Sequence, residues 1–170
     1  CGLHLHRALV AIDALMCVLI VLNVAYTEID WVAYMQEVEG YLAGERDYRL
    51  LRGDTGPLVY PAGFVYLFAF LHWITDKGTN ILLAQWIWAG MYLGVTALVM
   101  ALYRRAGAPP LLSVALILSK RIHSIFMLRM FNDCVATGLA YAAFYVMVHA
   151  LRNSSSTRLI SFRWTLASVL

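Results

Sequence analysis

The sequence predicts an all-α polytopic membrane protein. Hydrophobic residues make up 62% of the 170 residues and charged residues only 14%, with a mean hydropathy of +0.70. A soluble domain carries roughly 25% charged residues, so this chain cannot cover itself with polar surface. Several apolar runs approach the length of about 20 residues that a membrane-spanning helix needs. Aromatic residues, at 13%, suit the interface between hydrocarbon and headgroups.

The charge and the cysteine content argue against a nucleic-acid-binding protein and against a disulfide-rich or metal-binding cysteine framework. The net charge is +3 and no long run of Lys and Arg is present, so nucleic acid is not an expected partner. The cysteines show no paired spacing, and Cys17 and Cys134 lie in apolar runs. They are therefore interpreted as small buried side chains rather than as disulfide partners or metal ligands.

The apolar runs predict a single transmembrane domain over residues 1–170. The predicted spans lie at about 8–25, 58–74, 81–103, 111–127 and 134–150, with the start of another at 164. Because the chain begins with Cys1 and ends within an apolar run, we expect a fragment truncated at both ends. The run 58–74 is short and contains Pro61 and Gly63, so it either crosses or is re-entrant.

The distribution of basic residues bears on that choice. By the positive-inside rule, the basic segment 4–7 is cytoplasmic and the polar loop 26–57 lies on the opposite, lumenal side. If every apolar run crosses, Arg104 and Arg105 fall on the lumenal side as well, against the rule. If 58–74 does not cross, they become cytoplasmic and segment 120–133 faces the acidic loop. We favour the second arrangement, which leaves the glycosylation sequence at Asn153 in the cytoplasm.

Acidic residues of the loop are the first candidates for chemistry. Thr27 is a candidate cap for a short amphipathic helix on the membrane surface, whose one face carries Asp30, Tyr34, Glu37 and Tyr41. Glu28 and Asp30 either stabilise the start of this helix or supply a general base for sugar transfer. Spacing alone favours the first interpretation. Asp13, inside the first span, is interpreted as the partner of Arg7.

Basic residues in segment 120–133 are the second candidates. Lys120 is interpreted as a residue at a helix end, whose side chain extends so that its amine reaches the membrane–water interface. The spacing of Arg121, His123 and Arg129 does not fit a ring of basic residues around one helix end. Because guanidinium groups bind phosphate well, these residues are candidates for binding a phosphate. Asn132 and Asp133 are expected to begin the next span, with Asp133 also pairing with Arg129.

Four sequence blocks together carry a family resemblance. They are Tyr26–Trp31, Tyr34–Gly40, Gly53–Gly63 and the segment His123–Asp133, in that order, and Gly-Asp-Thr-Gly-Pro-Leu-Val-Tyr-Pro-Ala-Gly is the most specific. The chain resembles the dolichyl-phosphate-mannose-dependent alpha-1,3-mannosyltransferases of asparagine-linked glycan assembly, over about residues 26–150.

The resemblance implies a glycosyltransferase of the C-type (GT-C) architecture, a multi-pass protein of the endoplasmic reticulum membrane. It would transfer mannose from dolichyl phosphate mannose, with inversion, to Man5GlcNAc2-PP-dolichol on the lumenal side. No cofactor is expected, and a metal is not needed although a Glu-x-Asp pair could hold one. This fragment alone should be inactive.

The resemblance also implies roles for individual residues. Asp30 is expected to be the catalytic base, with Glu28 as the alternative. Donor phosphate binding is expected of Arg121, His123 and Arg129, and substrate binding of Asp54, Tyr60, Asn132 and Asp133. Two other functions stay open: another dolichyl-phosphate-mannose-dependent transferase, such as one that builds glycolipid anchors, and a membrane transporter.

Overall fold

A computed structural model describes residues 2–153 and 165–169, and these residues are mainly helical. Helices and strands follow in the order α1 (Gly2–Asn23), α2 (Trp31–Leu42), β1 (Arg52–Gly53), β2 (Gly56–Pro57), α3 (Ala62–Ile74), α4 (Ile81–Ala106), α5 (Pro110–Ile117), α6 (Lys120–Ile122), a π-helix (His123–Leu128) and α7 (Asp133–Asn153). The glycosylation sequence at Asn153 extends beyond the first described range, and residue 164 lies between the two ranges.

Helices α1 and α4 pack against each other in opposite directions. Arg7 and Arg104 line the same pocket, so the start of α1 meets the end of α4. At the other end, Tyr26 and Ile81 also share a pocket. We call the first the basic end of the bundle and the second its acidic end, because Glu28 and Asp30 lie just after α1.

The remaining long segments connect the same two ends. Segment α5 starts at the basic end, where the His6 imidazole lies 3.1 Å from the Ser113 hydroxyl. The π-helix finishes at the acidic end, where the Leu128 carbonyl accepts a hydrogen bond from the Thr27 amide. Helix α7 then runs alongside α4 and reaches the basic end, where Arg105 donates to the Tyr145 hydroxyl.

Two helices are long and apolar enough to cross a membrane among the described residues, namely His4–Asn23 and Ile81–Arg105. The pair Pro110–Ile117 and Lys120–Leu128 would make a third span, bent by 41°. The predicted run 111–127 is therefore interrupted at Ser119, whose hydroxyl oxygen caps the next turn by accepting from the Ile122 amide.

Helix α3 is too short to cross a bilayer by itself and instead packs along α2. Its 13 residues extend about 20 Å, whereas the hydrocarbon layer is about 30 Å thick. Phe64 near its start contacts Tyr34, and His72 near its end lies 3.2 Å from the Glu39 carboxylate. Both ends of α3 therefore lie against α2, which follows the acidic end of α1.

Helix α2 forms where the sequence predicts a short helix, and two residues of its predicted polar face, Tyr34 and Glu37, are buried. Trp31, Tyr34, Met35 and Val38 are buried among aromatic and aliphatic side chains of α3 and α4. The predicted polar face is covered because α3 and the β-hairpin pack against α2, whereas Val32 and Leu42 remain exposed.

The β-hairpin is held against α2 by a close backbone contact at Gly53. A Cβ at this position would lie 2.5 Å from the Ala33 carbonyl oxygen. We expect Gly53→Ala to displace the hairpin and lower the free energy of unfolding of the full-length protein by about 1–3 kcal/mol, measured by thermal unfolding in detergent. Gly63→Ala is the matched control, since nothing lies within 4 Å of its added Cβ. Equal stability of the two variants would contradict the close contact.

Candidate functional site

Glu28 and Asp30 have different roles at the start of α2. The Glu28 carboxylate accepts hydrogen bonds from the Tyr26 hydroxyl at 2.6 Å and from the Val32 amide at 3.1 Å. Glu28 thus stabilises the helix start, as the spacing suggested for the pair. Asp30 occupies the N-cap position, in place of the Thr27 cap expected from the sequence, but its carboxylate makes no capping hydrogen bond. Its carboxylate is therefore available for another purpose.

Acidic and aromatic neighbours surround the Asp30 carboxylate. Partial burial raises its pKa, and the negative charges of Glu28 and Asp133 add to the effect. A hydrogen bond with Tyr34 acts in the opposite direction. The net shift is upward, so the carboxylate holds a proton more tightly than a free aspartate does, which suits a general base.

Tyr34 connects Asp30 to other predicted site residues. Its hydroxyl lies 3.4 Å from the Tyr60 hydroxyl, and it also makes a hydrogen bond with the backbone of Asn132. Asp133, the first residue of α7, is exposed and close enough for its charge to act on Asp30. The structure therefore brings together Asp30, Tyr60, Asn132 and Asp133, which are distant in sequence.

Asp54 is held by a different face of α2. Its carboxylate accepts from the Gln36 side-chain amide at 2.9 Å, and its own backbone amide donates to Gln36 at 2.7 Å. Gln36 projects from another side of the helix than Asp30 and Tyr34, because one turn takes 3.6 residues. In this arrangement Asp54 fastens the β-hairpin to α2, and its predicted substrate contact is a separate, untested role.

The basic candidates are spread along the bundle. Arg129 directly follows the π-helix at the acidic end and is half-buried, whereas Arg121 is exposed. His123 is buried and bonds to Asp13 at 2.8 Å. Asp13 precedes the end of α1 by ten residues, about 15 Å along the helix. The structure therefore does not bring His123 to the acidic site.

Two pairings expected from the sequence are wrong. Asp13 pairs with His123 rather than with Arg7. Arg129 forms no ion pair with Asp133 within the described ranges, where the pairs join Arg49 to Asp47, His72 to Glu39 and His123 to Asp13. Tertiary packing decides both results, because a residue 110 positions away is invisible to local spacing.

Glu37 is a buried acid that the functional assignment from sequence missed. Only 3% of its surface is exposed, and its Oε2 has no hydrogen-bond partner in the described part of the chain. Burial raises its pKa to about 7, and the Asp30 charge contributes to the shift. The sequence did place Glu37 on the face of Asp30 and Tyr34, but the spacing of residues could not reveal that this face is covered.

The raised pKa of Glu37 makes stability depend on pH. Between its ordinary value of 4.5 and about 7, folded protein keeps a proton that unfolded protein releases, so stability falls as pH rises. We expect Glu37→Gln to be more stable than wild type above pH 7, measured as thermal midpoints of the full-length protein from pH 5 to 8. Asp76→Asn is the control, because that side chain is exposed and lies outside the pair formed by Glu39 and His72. A stability difference that does not change with pH would contradict burial of the charge.

A pocket of about 450 Å³ opens beside the same end of α2. Its polar side chains include Glu28, Gln36, Glu39, Lys77 and Thr79, next to Tyr26 and Trp31. Polar groups beside aromatic rings can hydrogen-bond and stack on a sugar, so this pocket is a second candidate region for glycan chemistry, on a different face of α2 from Asp30 and Tyr34.

Comparison with known proteins identifies the family of the chain. The family model described as "ALG3 protein" matches residues 7–168. The chain belongs to this family. It is 55% identical over 138 residues to the Dol-P-Man:Man(5)GlcNAc(2)-PP-Dol alpha-1,3-mannosyltransferase of Neurospora crassa, covering 81% of this chain and 31% of that protein. No solved structure matches the chain.

Relatives from animals are similar to the same part. The Drosophila melanogaster protein Dolichyl-P-Man:Man5GlcNAc2-PP-dolichol alpha-1,3-mannosyltransferase l(2)not2 is 50% identical over 153 residues, covering 89% of this chain and 29% of its own length. The human Dol-P-Man:Man(5)GlcNAc(2)-PP-Dol alpha-1,3-mannosyltransferase is 50% identical over 128 residues, covering 74% and 29%. The chain thus spans about a third of the curated relatives, and the family resemblance inferred from sequence is confirmed.

Proposed function

We propose that the full-length protein transfers mannose in alpha-1,3 linkage from dolichyl phosphate mannose to Man5GlcNAc2-PP-dolichol, on the lumenal side of the endoplasmic reticulum membrane. The relatives are named for this donor, this acceptor and this linkage. The observation that carries the proposal for this chain is the Asp30 carboxylate, which is half-buried, makes no capping hydrogen bond and lies within reach of the charge of Asp133.

In this proposal Asp30 is the general base of the reaction. As the acceptor hydroxyl oxygen attacks the anomeric carbon, Asp30 removes its proton, and the bond from that carbon to the phosphate oxygen breaks. Attack from the face opposite the phosphate converts a beta-linked donor into an alpha-linked product. The bonding electrons leave with dolichyl phosphate, so a cation near the phosphate lowers the barrier.

Arg129 is the best-placed residue for the donor phosphate. It follows the π-helix at the acidic end, and its guanidinium is not held by a carboxylate among residues 2–153. A guanidinium can bind two phosphate oxygens at once. Arg121 remains a candidate for the same phosphate, whereas the buried pairing of His123 argues against its direct contact with donor.

The membrane arrangement is part of the proposal. The basic end of the bundle collects Arg7, Arg104 and Arg105, which suits a cytoplasmic position, and the acidic end would then face the lumen. Helix α3 would stay on the lumenal side, because both of its ends contact α2. A lumenal first loop that bears the base, followed by multiple spans, is consistent with a GT-C architecture in a lipid bilayer.

The proposed activity can be tested in cells that lack this mannosyltransferase. Full-length protein should restore extension of the accumulated Man5GlcNAc2 lipid-linked glycan, analysed by chromatography of the released glycans. The product bond should be cleaved by an alpha-1,3-specific mannosidase. Unchanged accumulation of the five-mannose species, with the protein correctly expressed in the membrane, would contradict the proposal.

A further inference from the structure

Three side chains that the proposed reaction does not use meet inside the bundle. Asp13 and Cys17 lie one turn apart on α1, and His123 begins the π-helix. All three are buried, with exposed fractions of 0%, 1% and 4%. One carboxylate oxygen, the Cys17 sulfur and one imidazole nitrogen lie within 4.8 Å of one another. The ligands of a tetrahedral zinc ion lie roughly 3.2–3.8 Å apart, so small movements suffice.

The hydrogen bonds of His123 define which of its nitrogens is available. Its Nδ1 lies 3.0 Å from the Ser119 carbonyl oxygen, which can only accept, so Nδ1 carries the proton. Nε2 lies 2.8 Å from Asp13 Oδ1. In the neutral imidazole both of these atoms are acceptors, and a bound proton or a metal ion must therefore bridge them. A backbone carbonyl that accepts from one ring nitrogen, while the other ring nitrogen faces the ligands, is typical of metal-ligating histidines.

Two observations favour a metal ion over a proton. A proton between Nε2 and Oδ1 leaves Asp13 Oδ2 buried without a partner among the described residues, whereas a metal ion bound by both carboxylate oxygens would occupy it. It also gives no role to the adjacent Cys17 sulfur. Zinc with one carboxylate, one thiolate and one neutral imidazole has zero net charge, so the ion adds no charge to the interior of the bundle. The Tyr92 hydroxyl, 3.3 Å from Nε2, borders the fourth ligand position.

We propose that Asp13, Cys17 and His123 form a zinc site that joins α1 to the π-helix. Aspartate, cysteine and histidine together suit zinc, whereas magnesium and calcium prefer oxygen ligands alone. The site would be structural: it would hold the helix that leads to Arg129 in a fixed position relative to the acidic end. A π-helical turn is a common local distortion at such functional positions.

Zinc content measured by mass spectrometry on purified full-length protein tests the site. Wild type should hold about one zinc ion per chain more than Cys17→Ser or Asp13→Asn. Cys134→Ser is the matched control, because Cys134 is also buried in an apolar helix but lies outside the cluster, and it should match wild type. Equal zinc content in wild type and Cys17→Ser would overturn the proposal and leave a proton-bridged pair.

Cobalt substitution provides a second test that does not require the variants at position 13 or 17 to fold. Wild-type and Cys134→Ser proteins purified from cells grown with cobalt should both show a thiolate-to-cobalt charge-transfer band in their absorption spectra. Absence of that band from folded wild-type protein would overturn the proposal. Both measurements are independent of mannosyl transfer, so a failure of the proposed function and a failure of the zinc site can be distinguished.

Discussion

Asp30→Asn should reduce mannosyl transfer by about 10²–10⁴-fold, because an amide cannot accept the proton of the acceptor hydroxyl. The readout is the lipid-linked glycan pool of cells that express the full-length variant, in which the five-mannose species should accumulate. The substitution preserves the size of the side chain, and Asp30 makes no capping hydrogen bond. The helix start should therefore survive and expression should remain near the wild-type level.

Glu28→Gln is the matched variant for this experiment. Its Oε1 can still accept from the Val32 amide, and its Nε2 can donate to the Tyr26 hydroxyl oxygen, so the contacts at the helix start remain while the charge is lost. We expect a reduction of less than about tenfold, from weaker stabilisation of the helix start and a smaller charge effect on Asp30. If Glu28→Gln alone abolishes transfer, the two acids have exchanged roles. If both variants extend the glycan normally, neither acid is the base.

Trp31→Ala should produce the largest loss of stability among single substitutions at this end of the bundle. Trp31 is fully buried, and its ring packs at 5.5 Å from Trp88 and 6.2 Å from Phe68. Truncation of a buried aromatic side chain costs about 3–5 kcal/mol. The indole N–H also donates to the Gly78 carbonyl at 2.9 Å, and that acceptor would lose its partner.

Trp31→Phe separates the contribution of ring packing from that of the indole hydrogen bond. It keeps most of the ring contacts but removes the hydrogen bond to Gly78, so the expected cost is about 1–3 kcal/mol. Thermal unfolding of the detergent-solubilised full-length protein, followed by size-exclusion chromatography, ranks wild type, Trp31→Phe and Trp31→Ala in that order of decreasing stability. A wild-type midpoint for Trp31→Ala would show that α2 is not packed between α3 and α4.

Helix positions were the most predictable part of the fold. Segments 8–25 and 81–103 form the two long helices α1 and α4, because long apolar runs have few alternatives to a helix in a membrane. The end of α4 was predicted at 103, and the helix in fact continues to Ala106, before Gly107 takes the left-handed conformation at φ 67° that glycine favours after a helix. The bend at Ser119 was not predicted from the sequence, because apolar residues continue on both sides of it.

The candidate site was only partly predictable. The family motifs identified Asp30, Tyr60, Asn132 and Asp133, and the structure brings them around Tyr34. Glu37 was placed on the correct face but taken for a solvated acid. Burial of its carboxyl depends on α3 and the β-hairpin, and these contacts cannot be derived from the spacing of residues along α2.

Composition and motifs by themselves determined the membrane character of the protein and its family, because both depend on which residues occur and in what order. Only the tertiary structure decided the partners of the charged groups. It paired Asp13 with His123 rather than with Arg7, placed Glu28 at the helix start and left Asp30 without a capping hydrogen bond. The physical reason is desolvation: a buried charge requires a partner within hydrogen-bond distance, and packing of distant segments determines which partner is there.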